Sequence, residues 1–273
     1  MMGLFDRSGY ASLADLRADG YQPLFDELES VQAEFVDRAP LFRDPAYKWG
    51  TDMLHGWARC WEYPFVFHHL LREQKANRPL KVADFGSGST FFTIAAARRG
   101  IDIVAFDNDP VSVRDLRKAV DVLGVGPGSV RVELSGDTLP CADAAVDAAY
   151  SISVLEHMAD PVPIVAELAR IVRPGGLLLL TLDSDVERST SGVSPQHFEQ
   201  LRDALVAAFT FEYPEKIIHH FDVLTSKSSP WPRVGERYVP GLMWRTKDRR
   251  LLPLTGGPLP PIMSIYGAVM RRI

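Results

Sequence analysis

The residues with the clearest chemistry form a glycine-rich stretch, VADFGSGSTFF, at positions 82–92. An apolar run ends there in an acid, Asp84. Gly86 and Gly88 follow, with Ser87 between them. Glycine adopts backbone angles that are closed to other residues and lets a ligand come within contact distance of the main chain. A helix directly after such a turn adds the partial positive charge of its N-terminus. The stretch therefore predicts a strand, a turn and a helix that together bind a nucleotide.

Two classes of nucleotide ligand compete for this turn. A dinucleotide fingerprint has the spacing G-x-G-x-x-G, and its third glycine would fall where Phe91 stands. The other pattern has an acid at the end of the strand, followed by glycines at alternate positions. Asp84, Gly86 and Gly88 fit this second pattern, although Thr90 holds its third glycine position. The second pattern is therefore favoured.

Three further segments agree with that pattern. Asp107 ends a second apolar run in IDIVAFDND, where one carboxylate can accept hydrogen bonds from both ribose hydroxyls. The segment SGDTLPCADAAVDAAY follows at 135–150, and SISVLEHMADP and LARIVRPGGLLLLT lie at 151–161 and 168–181. With its Leu-Glu-His step and its Arg-Pro-Gly-Gly run, the region 80–183 resembles the class I S-adenosylmethionine-dependent methyltransferases.

The resemblance implies S-adenosylmethionine as the cofactor, S-adenosylhomocysteine as its product, and a set of binding residues. Asp137 would accept the exocyclic amine of adenine, with Thr138 or Leu139 beside the ring. A backbone carbonyl of Ser151 or Ser153 would hold the methionine ammonium group. The residues expected to bind the cofactor are Arg59, Asp84, Gly86, Ser87, Gly88, Asp107, Asn108, Asp137, Thr138 and Ser153.

The carboxylate of the cofactor needs a cation or several amides, and the glycine loop offers only amides. Arg59 lies among large aromatic residues in WARCWEYPF, and a guanidinium suits a carboxylate through paired hydrogen bonds. We therefore expect Arg59 to reach the methionine carboxylate, with Glu62 or Tyr63 orienting the surrounding segment. The alternative is an ordinary Arg–Glu pair on the surface of a helix.

Methyl transfer from a sulfonium is an in-line displacement, and alignment of the acceptor lowers its barrier. A hydroxyl acceptor must also lose a proton, and a base adds about 10²–10⁴-fold to the rate. His157 is the first candidate for this base, because it follows the fourth strand at the edge where an acceptor must meet the methyl group. A structural role is the alternative, and His219 and His220 are weaker candidates. No pair of histidines has metal-ligand spacing with a third ligand, so no metal is expected.

These residues require strands and helices that alternate along the chain. Short apolar runs predict strands at 80–85, 101–106, 129–134, 146–152, 177–182 and 262–270. Helices are predicted at 91–99, 111–122, 163–172 and 194–209. The alternation indicates an α/β fold with a doubly wound, seven-stranded, mostly parallel Rossmann-like sheet, whose ligands bind at the carboxyl ends of the strands.

Residues 1–78 form a helical N-terminal region, in which the sequence pattern differs from the alternating strands and helices of the rest of the chain. Apolar residues recur there at three- and four-residue steps, and a second helical stretch runs from about residue 53 to residue 73, interrupted at Pro64. This region is a layer packed on the main domain, a cap that closes over a pocket, or both. Residues 79–273 are the expected methyltransferase domain, with a loop-rich insertion at about 225–261 that contains many prolines and glycines.

Composition limits the possible partners. The 273 residues include 30 Lys and Arg against 35 Asp and Glu, which gives a net charge of −5 and argues against nucleic acid or an anionic membrane as the main partner. The apolar run at 177–180 is too short to span a bilayer. Two cysteines form no disulfide framework, which fits a reducing cytoplasm. We expect a cytoplasmic protein whose partner is a small-molecule methyl acceptor.

The leading interpretation is an S-adenosylmethionine-dependent methyltransferase that acts on a small organic or glycosylated metabolite. Methylation of oxygen is favoured over nitrogen or carbon, because histidines are available and no acidic motif selective for amines is evident. The alternative is a protein that keeps the fold and binds the cofactor but is non-catalytic or catalyses another reaction. A nicotinamide oxidoreductase is disfavoured by Phe91.

Overall fold

The computed structural model describes residues 3–76, 79–185, 195–231, 244–245, 251–252 and 262–273. The helices are α1 Tyr21–Arg38, α2 Arg59–Ala76, α3 Phe91–Arg98, α4 Pro110–Leu123, α5 Val162–Ile171 and α6 Pro195–Ala208. The strands are β1 Gly9–Tyr10, β2 Leu80–Phe85, β3 Ile101–Asp107, β4 Ser129–Leu134, β5 Val146–Ile152, β6 Val172–Asp185, β7 Phe209–Phe211, β8 Trp244–Arg245, β9 Leu251–Leu252 and β10 Met263–Arg272. No helix in these ranges is long and apolar enough to cross a membrane.

One large sheet organises the chain, with the strand order β1-β10-β6-β5-β2-β3-β4 and with β7 paired to β10. The five strands from β4 to β6 in this order pair in parallel, whereas β10 is antiparallel to β6, β7 and β1. The doubly wound, mostly parallel α/β sheet is thereby confirmed. The described sheet has eight strands where seven were predicted, because Gly9 and Tyr10 add a short strand opposite Gly267 and Tyr266.

The order of strands reverses at β2, which has β3 on one side and β5 on the other. Ligands of open parallel sheets bind at such a switch point, outside the carboxyl ends of the strands. The three strands concerned end at Phe85, Asp107 and Ile152. The loops after these residues are therefore the expected walls of a binding site.

Helix α2 runs unbroken through Pro64, where the sequence predicted an interruption, and it begins at Arg59. Proline has no N–H, so the carbonyl four residues earlier loses its helical hydrogen bond. That carbonyl belongs to Cys60, and it accepts a hydrogen bond from the Tyr21 hydroxyl of α1 at 2.9 Å. Helix α1 thus supplies the bond that lets α2 continue.

The aromatic face of α2 packs on β10. Trp61 and Phe65 are buried, and their rings stack with centroids 4.5 Å apart. A Cβ atom at Gly267 in β10 would lie 2.7 Å from the Trp61 ring, which is closer than a non-bonded carbon pair allows. The lack of a side chain at Gly267 therefore sets how closely α2 approaches the sheet.

The predicted loop-rich insertion at 225–261 falls mainly outside the described residues. Its described parts are residues 225–231 and the strands β8 and β9, which pair with each other. In the first of these, Trp231 stacks on Phe25 of α1 with ring centroids 5.2 Å apart. The beginning of this segment therefore packs on the N-terminal region, and the division of the chain into two domains at residue 78 stays a prediction.

We expect Gly267→Ala to lower the free energy of unfolding by about 1–3 kcal/mol, because the added methyl group overpacks against Trp61. Chemical denaturation would measure the change. Gly50→Ala is the matched control, since the position is exposed and the nearest atom to a Cβ there is 3.9 Å away. A Gly267→Ala protein as stable as the control would contradict the close approach of α2 to β10.

Candidate functional site

The glycine loop lies at the carboxyl end of β2. Gly86 and Gly88 have φ angles of +74° and +56°, in the left-handed region that favours glycine. The amides of Gly86 and Ser87 donate to the Phe106 carbonyl of β3 at 2.9 and 3.1 Å. A Cβ atom at Gly86 would lie 2.4 Å from the Val154 side chain, in the loop after β5. The sequence predicted Gly86 because a ligand must approach the main chain. In the structure, the packing of Val154 also requires a residue without a side chain at this position.

Asp107, at the end of β3, braces the same loop from the neighbouring strand. Its Oδ2 accepts a hydrogen bond from the Gly88 amide and its Oδ1 accepts one from the Asp109 amide, both at 2.8 Å. Burial raises the pKa of the Asp107 carboxyl group, and these amide donors oppose the rise. Each carboxylate oxygen keeps a second lone pair. The group can therefore hold the loop and still accept hydrogen bonds from a ligand.

Asp84 is buried, with 4% of its surface exposed. Its Oδ2 accepts a hydrogen bond from the Thr93 hydroxyl of α3 at 2.7 Å. Burial raises the pKa of Asp84 to about 7. The acid joins the strand before the loop to the helix after it, and its contact with the cofactor stays a prediction.

A cavity of about 610 Å³ opens at this switch point, a volume typical of small-ligand sites. Ten of the eleven residues predicted for the site line it: Arg59, Asp84, Gly86, Ser87, Gly88, Asp107, Asn108, Asp137, Ser153 and His157. The exception is Thr138, which is exposed and does not line the cavity. Its alternative, Leu139, is buried in the core, so Asp137 and the two residues before it, Ser135 and Gly136, form this wall instead.

Arg59 begins α2 and reaches the cavity wall beside Ser153. Its Nη1 pairs with Oε2 of Glu62 and donates to the Ser153 hydroxyl at 2.6 Å. The sequence left open an Arg–Glu pair on a helix surface, and the structure shows such a pair in the interior, since Glu62 has no exposed surface. Burial lowers the pKa of Arg59, but the charges of Glu62, Tyr63 and Asp183 and the hydrogen bond to Glu62 together outweigh this effect, and the net shift is upward. The guanidinium is therefore always charged.

His157 ends a short 3-10 helix, Leu155–His157, that follows β5. The residue is exposed and lines the cavity. Partial burial and the positive charge of Arg59 lower the pKa of the His157 imidazole below its ordinary value. The ring is therefore neutral at pH 7 and can accept a proton. His219 and His220, the weaker candidates, are exposed and do not line the cavity.

A brace from the N-terminal region was not predicted. The Tyr47 hydroxyl accepts a hydrogen bond from the Ser89 amide at 3.1 Å and donates to the Ser89 carbonyl at 3.3 Å. Arg43 donates to the same carbonyl at 3.0 Å, and its guanidinium carbon lies 3.9 Å from the centre of the Tyr47 ring. The segment at 42–52 lies between the two predicted helical stretches, so no local signal marks these residues.

Residues before position 78 supply a whole section of the cavity wall. Its members are Tyr47, Lys48, Trp49, Met53, Arg59 and Tyr63. Of these, the sequence predicted only Arg59 as a binding residue. The N-terminal region is therefore part of the site, and the remaining walls come from the loops after β2, β3, β4 and β5.

Part of the chain is similar to known methyltransferases. Residues 83–180 match the model of a family described as a methyltransferase domain. An uncharacterized methyltransferase of Mycobacterium sp. (strain JLS) is 39% identical over 104 residues, which are 37% of this chain and 37% of that protein. One from Mycobacterium ulcerans (strain Agy99) is 38% identical over 109 residues, 40% of each chain. The matched segment thus spans well under half the length of these curated relatives.

Among solved structures, a SAM-dependent methyltransferase from Aquifex aeolicus aligns with 89% of this chain and 97% of its own, at a TM-score of 0.45 and 15% identity. A likeness of this size adds no argument about function.

We expect Tyr47→Phe to weaken the binding of S-adenosylhomocysteine by about fivefold or more, because two hydrogen bonds that hold Ser89 are lost, each worth about 0.5–1.5 kcal/mol. Isothermal titration would measure the affinity. Tyr266→Phe is the control, since it removes another tyrosine hydroxyl that donates a hydrogen bond, to Glu215, but Tyr266 lies outside the cavity wall. Equal affinities in the two variants would mean that Tyr47 does not brace the ligand-binding loop.

Proposed function

We propose that the protein is an S-adenosylmethionine-dependent methyltransferase that methylates a small organic or glycosylated metabolite on oxygen; the match of residues 83–180 to a methyltransferase domain supports this. The observation that supports this function best is the shared cavity. Residues from four separate sequence segments, together with Arg59 of the N-terminal region, line one cavity at the switch point of the sheet.

The polar groups of the cavity match the parts of the proposed cofactor. Asp107 has spare lone pairs for the ribose hydroxyls, Asp137 for the adenine amine, and Arg59 has a charge for the methionine carboxylate. These three residues lie at the end of β3, after β4 and at the start of α2, and all of them line the cavity. The protein would thus recognise the adenine, the ribose and the methionine part of the cofactor.

S-adenosylmethionine, when bound, supplies a methyl group that its positively charged sulfur makes electrophilic. The residues of this chain have to align the acceptor hydroxyl, exclude water and take up the hydroxyl proton. Alignment lowers the barrier by making the reaction effectively unimolecular. Neutral His157 can accept the proton at a ring nitrogen while the acceptor oxygen forms its bond to the methyl carbon, which adds about 10²–10⁴-fold.

The N-terminal part of the cavity wall supports a small organic acceptor. Trp49, Met53 and Tyr63 contribute aromatic and apolar surface. Trp49 is 56% exposed at the cavity, which suits contact with a ring or an aliphatic group. The net charge of −5 also disfavours nucleic acid as the acceptor.

The test of this function is a screen of metabolites with radiolabelled S-adenosylmethionine. An enzyme of the proposed kind forms S-adenosylhomocysteine and a labelled acceptor in equal amounts. Tight binding of S-adenosylmethionine without acceptor-dependent product across a broad panel would instead favour a cofactor-binding protein that is not a methyltransferase. Binding of NADH but not of S-adenosylmethionine would exclude the proposed function altogether.

We expect Asp107→Ala to weaken the binding of S-adenosylhomocysteine by about 2–3 kcal/mol, because the carboxylate that accepts hydrogen bonds from the ribose hydroxyls and from the loop amides is lost. Isothermal titration would measure it. Asp102→Ala is the control on the same strand, because Asp102 lies at the opposite end of β3 and its Oδ1 accepts a hydrogen bond from Ser129. An unchanged affinity in folded Asp107→Ala would remove the ribose assignment.

We expect His157→Ala to lower turnover by about a hundredfold and to leave the affinity for S-adenosylhomocysteine unchanged, because the imidazole serves the acceptor. The pKa of His157 is lowered, so the wild-type rate should decline at acid pH, where the ring becomes protonated, with a midpoint below the ordinary value for an imidazole. Turnover measured against pH for both proteins checks this. A variant that retains the acid limb of the wild type would rule out His157 as the base.

A further inference from the structure

Glu62 is a buried acid that joins three elements of the fold behind the cavity wall. It lies in the first turn of α2 and has no exposed surface. Its Oε1 accepts hydrogen bonds from the hydroxyls of Ser153 and Thr181, each at 2.6 Å, while its Oε2 pairs with Arg59. One carboxylate thus connects α2 to the loop after β5 and to β6.

Arg59, Glu62 and Ser153 form a closed triangle. Arg59 donates to the Ser153 hydroxyl at 2.6 Å, and that hydroxyl donates to Glu62. Ser153 has a φ angle of +51°, which is uncommon for a residue with a side chain, and its amide donates to the Thr181 carbonyl at 3.0 Å. The contacts therefore hold Ser153 in a strained conformation and fix the position of the guanidinium.

Two corners of this triangle face the cavity and the third does not. Arg59 and Ser153 line the wall, whereas Glu62 is covered completely. Within the described ranges, the hydrogen bonds of the Arg59 side chain run through Nη1. Its Nη2 and Nε remain as donors, and a guanidinium edge with two N–H groups matches a carboxylate.

We propose that Glu62 is a positioning residue that makes the site specific for the amino-acid end of the cofactor, by holding Arg59 where its remaining donors meet the methionine carboxylate. This inference rests on the proposed function. A buried carboxylate suits the task because it needs several donors, and the donors it takes are the groups that have to be aligned. Without it, Arg59 keeps its charge but loses its fixed direction.

The experiment compares two ligands that share a nucleoside. S-adenosylhomocysteine carries the amino-acid tail, and 5′-methylthioadenosine lacks it. In Glu62→Gln the affinity for S-adenosylhomocysteine should fall by about tenfold or more, while the affinity for 5′-methylthioadenosine should stay within about twofold of the wild type. Isothermal titration of both ligands gives the ratio directly. A role in stability alone would not move this ratio.

Glu73→Gln is the matched control. Glu73 lies on the same helix, is 5% exposed and pairs with Arg271 at 2.9 Å, but it is not in the cavity wall. It should leave both affinities unchanged. Arg59→Met should show the same selective loss as Glu62→Gln, and the double variant should add little to either, because both residues act through one contact.

Ser153→Ala provides a second route to the answer if Glu62→Gln does not fold, because it removes one corner of the triangle and leaves the buried acid in place. It should also weaken S-adenosylhomocysteine more than 5′-methylthioadenosine. Equal weakening of both ligands, or no weakening in a folded variant, would overturn the role of Glu62. A wild-type protein that binds neither ligand would overturn the proposed function itself, which is a different result.

Discussion

The close contact between α2 and β10 is the constraint on which the site depends. Trp61 can lie against β10 only because Gly267 has no side chain. The helix can pass through Pro64 because Tyr21 serves the carbonyl of Cys60. Once α2 is placed in this way, its first turn lies beside the carboxyl ends of β5 and β6. The N-terminal region therefore contributes to the cavity through the same contacts that hold it on the sheet.

The polar groups buried at the start of α2 serve to position the residues of the cavity wall more than to stabilise the fold. Glu62 is completely buried and is paired with a cation and two hydroxyls. Replacing a buried ion pair by well-packed apolar residues is often neutral or stabilising, so stability alone is a weak reason to keep one. This network ends at the cavity, in Arg59 and Ser153, where the positions of these two residues would determine how a ligand binds. Positioning of the ligand is therefore a stronger reason to keep the buried pair than stability.

Local sequence patterns predicted the central sheet and the glycine loop well. Strands β2 and β5 have the predicted bounds, because a sheet buried on both faces leaves apolar runs bounded by turns. Tyr47 could not be predicted, since its role comes from contacts with Ser89, far along the chain. The spacing of Arg59 and Glu62 predicted a pair on one helix face, but its burial depends on where the helix packs. Tertiary contacts, which leave no local periodicity, account for what the sequence missed.

Arg59 connects the proposed binding of the cofactor to the protonation state of the proposed base. Its guanidinium is held by Glu62 on the inner side, and its positive charge acts together with partial burial to lower the pKa of His157. A cation suited to a carboxylate therefore also favours the neutral imidazole, which is the form that can accept a proton. A carboxylate bound at Arg59 would offset part of that charge and allow the pKa of His157 to rise. The positively charged sulfur of S-adenosylmethionine, which the proposed chemistry puts beside His157, would act in the opposite direction and keep the imidazole neutral.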